Sequence, residues 1–172
     1  HLENMDAEQP REAAKAFLYV VDGAGSSTNP IVVKSMSIKC GDMAVFHWGI
    51  KSIVQHIQYR NNRISGYQNG ALMILKGNVS NIEATNNLFY HGHTAVSFYV
   101  PGGDANGLSF ENNTFFGLSF WVRLTETPLN QNLARFRHNL VMNCDVSTMA
   151  MLVPVGRSWF VSNWLELSEQ AT

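Results

Sequence analysis

An asparagine recurs along this chain at Asn62, Asn87, Asn113, Asn139 and Asn163, at intervals of 25, 26, 26 and 24 residues. Each stands in the same phrase. Three residues before it comes Tyr59, Ala84, Phe110, Phe136 or Phe160, and two after it comes Ile64, Phe89, Phe115, Val141 or Leu165. A period of this length, held in three columns at once, marks stacked supersecondary units.

A further column follows each phrase. About nine residues after the asparagine a short apolar stretch begins: "ALMIL" (71–75), "AVSFYV" (95–100), "FWVRL" (120–124) and "MAMLVPV" (149–155), with earlier counterparts in "MAVFHW" (43–48) and "AFLYVV" (16–21). Turn-forming residues close most of these stretches: Asp22-Gly23, Lys76-Gly77-Asn78, Pro101-Gly102-Gly103, Thr127-Pro128 and Gly156. Each unit therefore reads as strand, Asn turn, short strand, Gly-containing turn, strand.

The period selects the architecture. A leucine-rich repeat needs a Leu-x-x-Leu-x-Leu consensus that is absent, and a propeller blade needs ~40 residues and four strands. Nothing between the repeats reads as a long helix, which excludes alternating βαβ units. What remains is a coil of three short parallel strands per turn. From about residue 14 to 167 the chain resembles the right-handed parallel β-helix of the pectate-lyase-like superfamily. The expected fold is thus all-β, a right-handed parallel β-helix (solenoid) of about six rungs, with residues 1–15 as a partial turn or cap, 16–167 as the solenoid and 168–172 as a tail. Asp6 to Lys15 reads either as part of a turn or as a short covering helix. In such a coil equivalent residues stack at ~4.8 Å. The repeated asparagines are expected to form an inward ladder, passing amide hydrogen bonds between turns and tolerating a left-handed backbone at the bend.

Composition narrows the function. Charged residues make up 15% of the chain and the net charge is −1, so bulk charge points to neither nucleic acid nor an anionic membrane surface. No apolar run is long enough to span a membrane as a helix. Cys40 and Cys144 form no CxxC pair and read as buried free thiols. The C-terminal "SNWLELSEQAT" ends soon after a repeat asparagine with no evident cap, as expected of a piece of a longer protein or of end-to-end self-association.

Candidate chemistry lies on outward positions. Two before the repeat asparagine the column reads Arg60, Thr85, Glu111, Arg137; four before, it reads Gln58, Glu83, Ser109, Arg135. Glu83, Glu111 and Arg135 are candidate acid, base and positioning groups, alternatively a solvated face of ion pairs across rungs. His91 and His93 form a His-x-His pair whose rings share one side if the segment is extended. No third metal ligand is visible, so no metal or cofactor is expected. Outward members of Trp48, Phe98, Tyr99, Phe120, Trp121 and Phe160 would make a platform for sugar rings, whereas inward ones would fill the core. The turns at 101–107 and 125–132 would wall a groove beside it.

The resemblance implies an extracellular or cell-surface setting and action on sugar chains. Of the polygalacturonase-type motifs, however, this chain carries only His91-Gly92-His93 and lacks Asn-Thr-Asp and Asp-Asp. The leading expectation is a β-helical module that binds carbohydrate or a protein partner, or serves as scaffold, with face-to-face or end-to-end self-association open to it. The alternative is a polysaccharide hydrolase or lyase acting through Glu83, Glu111, Arg135, His91 and His93.

Overall fold

A computed structural model describes residues 2–8, 17–23, 25–41, 43–66, 71–99, 105–124, 134–145, 160–161 and 163–168. The described residues are all strand, bend and turn, joined into one 16-stranded sheet in which every pairing is parallel. The sheet winds on itself as a parallel β-solenoid with three faces. No helix among the described residues is long and apolar enough to cross a membrane.

The register follows the sequence period. On the first face Leu2, Val33, Tyr59, Ala84, Phe110, Phe136 and Phe160 stand one above another. On the second face the stack is Ala7, Ile38, Ile64, Phe89, Phe115, Val141 and Leu165. On the third it is Leu18, Val45, Met73, Val96 and Val122. Strand alternation sends those whose side chains are described, from Val33 to Phe136, Ile38 to Val141 and Val45 to Val96, inward. The stacked Phe110–Phe136 and Phe89–Phe115 rings lie 4.7 and 5.2 Å apart, nearly coplanar in orientation. Burying such large apolar side chains at every level supplies the main driving force.

Between the first and second faces the repeat asparagines form an unbroken chain of hydrogen bonds. Asn62 Nδ2 donates to Asn87 Oδ1 at 2.9 Å, Asn87 Nδ2 to Asn113 Oδ1 at 3.0 Å, Asn113 Nδ2 to Asn139 Oδ1 at 3.1 Å and Asn139 Nδ2 to Asn163 Oδ1 at 2.9 Å. Each Oδ1 also accepts the backbone N–H of the asparagine one coil earlier, and each Nδ2 a second time donates to a carbonyl of the coil before its own, such as Tyr59 O for Asn87. One backbone feature differs from expectation. The left-handed residue is the one before the inward asparagine: Asn61, Asn86, Asn112 and His138 have φ of 57°, 57°, 54° and 53°. The first residue of the pair turns the chain, and the second points in and bonds.

Other sequence expectations meet the structure unevenly. Asp6–Glu8 pairs as a strand with Ser37–Lys39 and does not begin a helix. Cys40 and Cys144 are buried and in no disulfide, and burial pushes the Cys144 thiol up from its ordinary value. The stretch at 149–155, most of the turn at 101–107 and the whole turn at 125–132 lie outside the described residues.

Candidate functional site

The first face turns a polar surface outward, in the columns the sequence sets. Gln58, Glu83, Ser109 and Arg135 are successive register partners, as are Arg60, Thr85, Glu111 and Arg137. Gln58 Nε2 donates to Glu83 Oε2 at 3.1 Å, and Arg60 Nη2 approaches the same oxygen at 4.0 Å. Ser109 Oγ donates to Glu111 Oε1 at 3.1 Å. Glu83 and Glu111 thus sit on neighbouring coils, each with a partner on its own face. Arg135 is exposed on the coil beyond.

His91 and His93 stand elsewhere, beyond the Asn turn where the second face bends toward the third. His91 has φ of +49°, so the segment is not extended there and alternation does not place the two rings on one side. The exposed His91 ring packs edge-on to Tyr90 at 5.0 Å and lies 6.2 Å from Phe116. His93 is half-buried, with Nδ1 3.1 Å from Thr94 Oγ1. The five candidate residues therefore fall into two groups on different faces. No group of three or more His, Cys, Asp or Glu able to hold a metal occurs among the described residues. Of the candidate platform aromatics, Phe98 is core and Tyr99 half-exposed. The side chains of Trp48, Phe120, Trp121 and Phe160 lie outside the described set.

Glu83 also lines a cleft of about 250 Å3 with Ser26, Ser27, Pro30, His56, Gln58 and Asn81. Its walls come from two devices. One is the loop at 25–30, tied by the Ser26 and Asn29 backbones to each other at 3.0 and 3.2 Å and by Asn29 N–H to Ser26 Oγ at 2.9 Å. Gly25 N–H donates to Gln55 O at 3.0 Å, and a Cβ at Gly25 would stand 2.6 Å from His56 O. Only glycine lets the loop lie this close to the coil. The other device is the bend leading into the first face, where His56, Asn81 and Gly107 hold φ of 56°, 49° and 66°.

These bends repeat at 25 and 26 residues, the same period as the inward asparagines. That second periodicity of bend residues was the signal that could have located the cleft. Tracking the inward columns alone passes over Ser26, Ser27 and Asn81.

Chemically the cleft is a set of short polar groups of both hydrogen-bonding senses. Both contacts of Glu83 fall on Oε2, which leaves Oε1 as an acceptor. Gln58 spends its amide N–H on Glu83 and keeps its carbonyl oxygen. The His56 imidazole brings two ring nitrogens, and Ser27 and Asn81 add both donors and acceptors. Comparisons with protein-family models, curated proteins and solved structures gave no match.

Proposed function

We propose that this chain is a β-helical module, of the kind found in the pectate-lyase-like superfamily, that binds carbohydrate in the cleft around Glu83. The observation that carries the reading is the lining itself: a carboxylate, two amides, an imidazole and two hydroxyls around about 250 Å3 where the 25–30 loop meets the first face. Vicinal sugar hydroxyls are each donor and acceptor, and a planar carboxylate or amide meets two of them at once. The volume is below the ~300–1,000 Å3 of sites for drug-sized ligands and suits one sugar ring.

Binding is favoured over cleavage because the lining holds a single carboxylate, Glu83. Hydrolysis by the common routes uses two, ~5–10 Å apart across the scissile bond. Glu111, on the next coil, is engaged by Ser109. The test is a panel of neutral and acidic oligosaccharides, titrated calorimetrically and assayed for reducing ends in parallel. Saturable binding that Glu83→Gln weakens at least tenfold, with no new reducing ends, supports the reading. Turnover that Glu83→Gln abolishes would replace it with the hydrolase.

A further inference from the structure

The outward side of the second face has a different character. Its two columns, in register, read Ser37, Arg63, Leu88, Thr114, Leu140, Trp164 and Lys39, Ser65, Tyr90, Phe116, Met142. Phe116 is 37% exposed and Trp164 69%. Leu88, Tyr90, Leu140 and Met142 are half-buried, as lateral neighbours on a flat sheet must be. Apolar residues thus cover four successive coils, on a surface where strand alternation would permit any polar residue. Contiguous apolar patches on a rigid flat face mark interaction sites. This one is unlike a sugar platform, because Leu88, Leu140 and Met142 offer neither a flat ring nor a hydrogen bond. It resembles the core of a protein interface, where aromatics, Met and Arg concentrate.

We propose that this face pairs with the same face of a second copy of the chain, antiparallel, with Phe116 on the two-fold axis. Charge decides the direction. Arg63 and, one coil before it, exposed Lys39 stand at one end of the strip and Trp164 at the other. A parallel arrangement sets Arg63 and Lys39 at the level of the partner's Arg63 and Lys39. The antiparallel one brings Arg63 over the partner's exposed Trp164, a cation–π contact in place of like charges. The same operation sets Leu88 against the partner's Leu140, Tyr90 against the partner's Met142, a favourable sulfur–ring pairing, and Phe116 against the partner's Phe116. The apolar levels of the strip are thus self-complementary.

Sedimentation equilibrium of the full chain tests this. The wild type is expected to sediment at twice the monomer mass. Phe116→Glu and, separately, Met142→Lys are expected to sediment as monomers with unchanged far-UV circular dichroism. Both positions point outward, and agreement between two variants separates loss of the interface from loss of the fold. Oxidative cross-linking fixes the geometry, since Cys40 and Cys144 are buried. Phe116→Cys should form a disulfide dimer with itself, and Leu88→Cys should cross-link only to Leu140→Cys. A wild type that stays monomeric, or a Phe116→Glu variant that stays dimeric, overturns the proposal. So does efficient self-linking of Leu88→Cys, which would mean a parallel arrangement. Loss of oligosaccharide binding in Phe116→Glu, with the wild type monomeric, would make the strip a sugar platform instead.

Discussion

The first and second faces share strand geometry, register and an equally apolar interior, yet their outer surfaces diverge. Outside the first face are Gln58, Glu83, Ser109, Arg135, Arg60, Glu111 and Arg137. Outside the second, over the same coils, Arg63, Ser65 and Thr114 are outnumbered by Leu88, Tyr90, Phe116, Leu140 and Met142. The two are separated only by the asparagine turn. Inward positions are constrained by packing and stacking, so both faces repeat there. Outward positions are not needed to close the coil, so each face is free to carry a separate task.

That contrast has consequences of graded size. The largest effect belongs to the interior that both faces share. Asn113→Ala removes the acceptor for Asn87 N–H and Asn87 Nδ2 and the donor to Ala84 O, all buried. At ~1–3 kcal/mol per orphaned group, equilibrium unfolding should show a loss of about 4 kcal/mol. Binding at the first face and pairing at the second should fall together. A loss under about 1 kcal/mol, the ordinary size of a surface substitution, would mean that the faces do not depend on the turn between them.

Next comes a buried pair behind the third and first faces. Tyr59 Oη and His47 Nε2 lie 2.7 Å apart, both fully buried, and His47 Nδ1 has no partner. Desolvation holds the His47 pKa down to about 3, against an ordinary 6.5. The unfolded chain takes up this proton below pH 6.5 while the folded chain does not. Stability is therefore fully present above that pH and drains as the pH falls toward 3, by about 1.4 kcal/mol per unit. Urea melts from pH 7 to 4 should show this slope, and His47→Phe should flatten it. An unchanged slope in the variant would place the acid sensitivity elsewhere.

A smaller and local effect is expected on the polar face. Glu83→Gln should weaken oligosaccharide binding at least tenfold, about 1.4 kcal/mol. Its unfolding midpoint should stay put, because the side chain is half exposed. A drop in stability as large as that of Asn113→Ala would make Glu83 structural. Smallest of all is Arg60→Ala. The Arg60–Glu83 pair, 4.0 Å apart with both side chains about half exposed, should contribute less than about 0.5 kcal/mol by thermal melts of the single and double variants. A coupling above about 1 kcal/mol would mean the face is held together by its charges.

The sequence made the interior legible because the inside of a coil repeats. Ile64, Phe89, Phe115 and Val141 must meet at one spacing, and the asparagines must bond to one another, so chemistry recurs at a countable interval. The polar columns of the first face were legible for the same reason, since they are fixed by offset from those asparagines. The cleft was not. It depends on the loop at 25–30, which occurs on one coil only, and on left-handed bends at His56, Asn81 and Gly107, where three residue types serve one backbone role. The His91–His93 pairing failed at a similar bend. Periodicity reports which way a strand residue points, and it loses that power wherever φ changes sign.

The division of labour between the two faces is tested most directly by mapping where a sugar binds. Backbone amide shifts would be followed by NMR as the best-binding oligosaccharide of the panel is titrated into the wild-type chain. Shifts are expected at Ser26 and Ser27, His56 to Gln58 and Asn81 to Glu83, with Leu88 to Tyr90 and Thr114 to Phe116 unmoved. Shifts centred on Tyr90 and Phe116, with the Glu83 cleft silent, would contradict it.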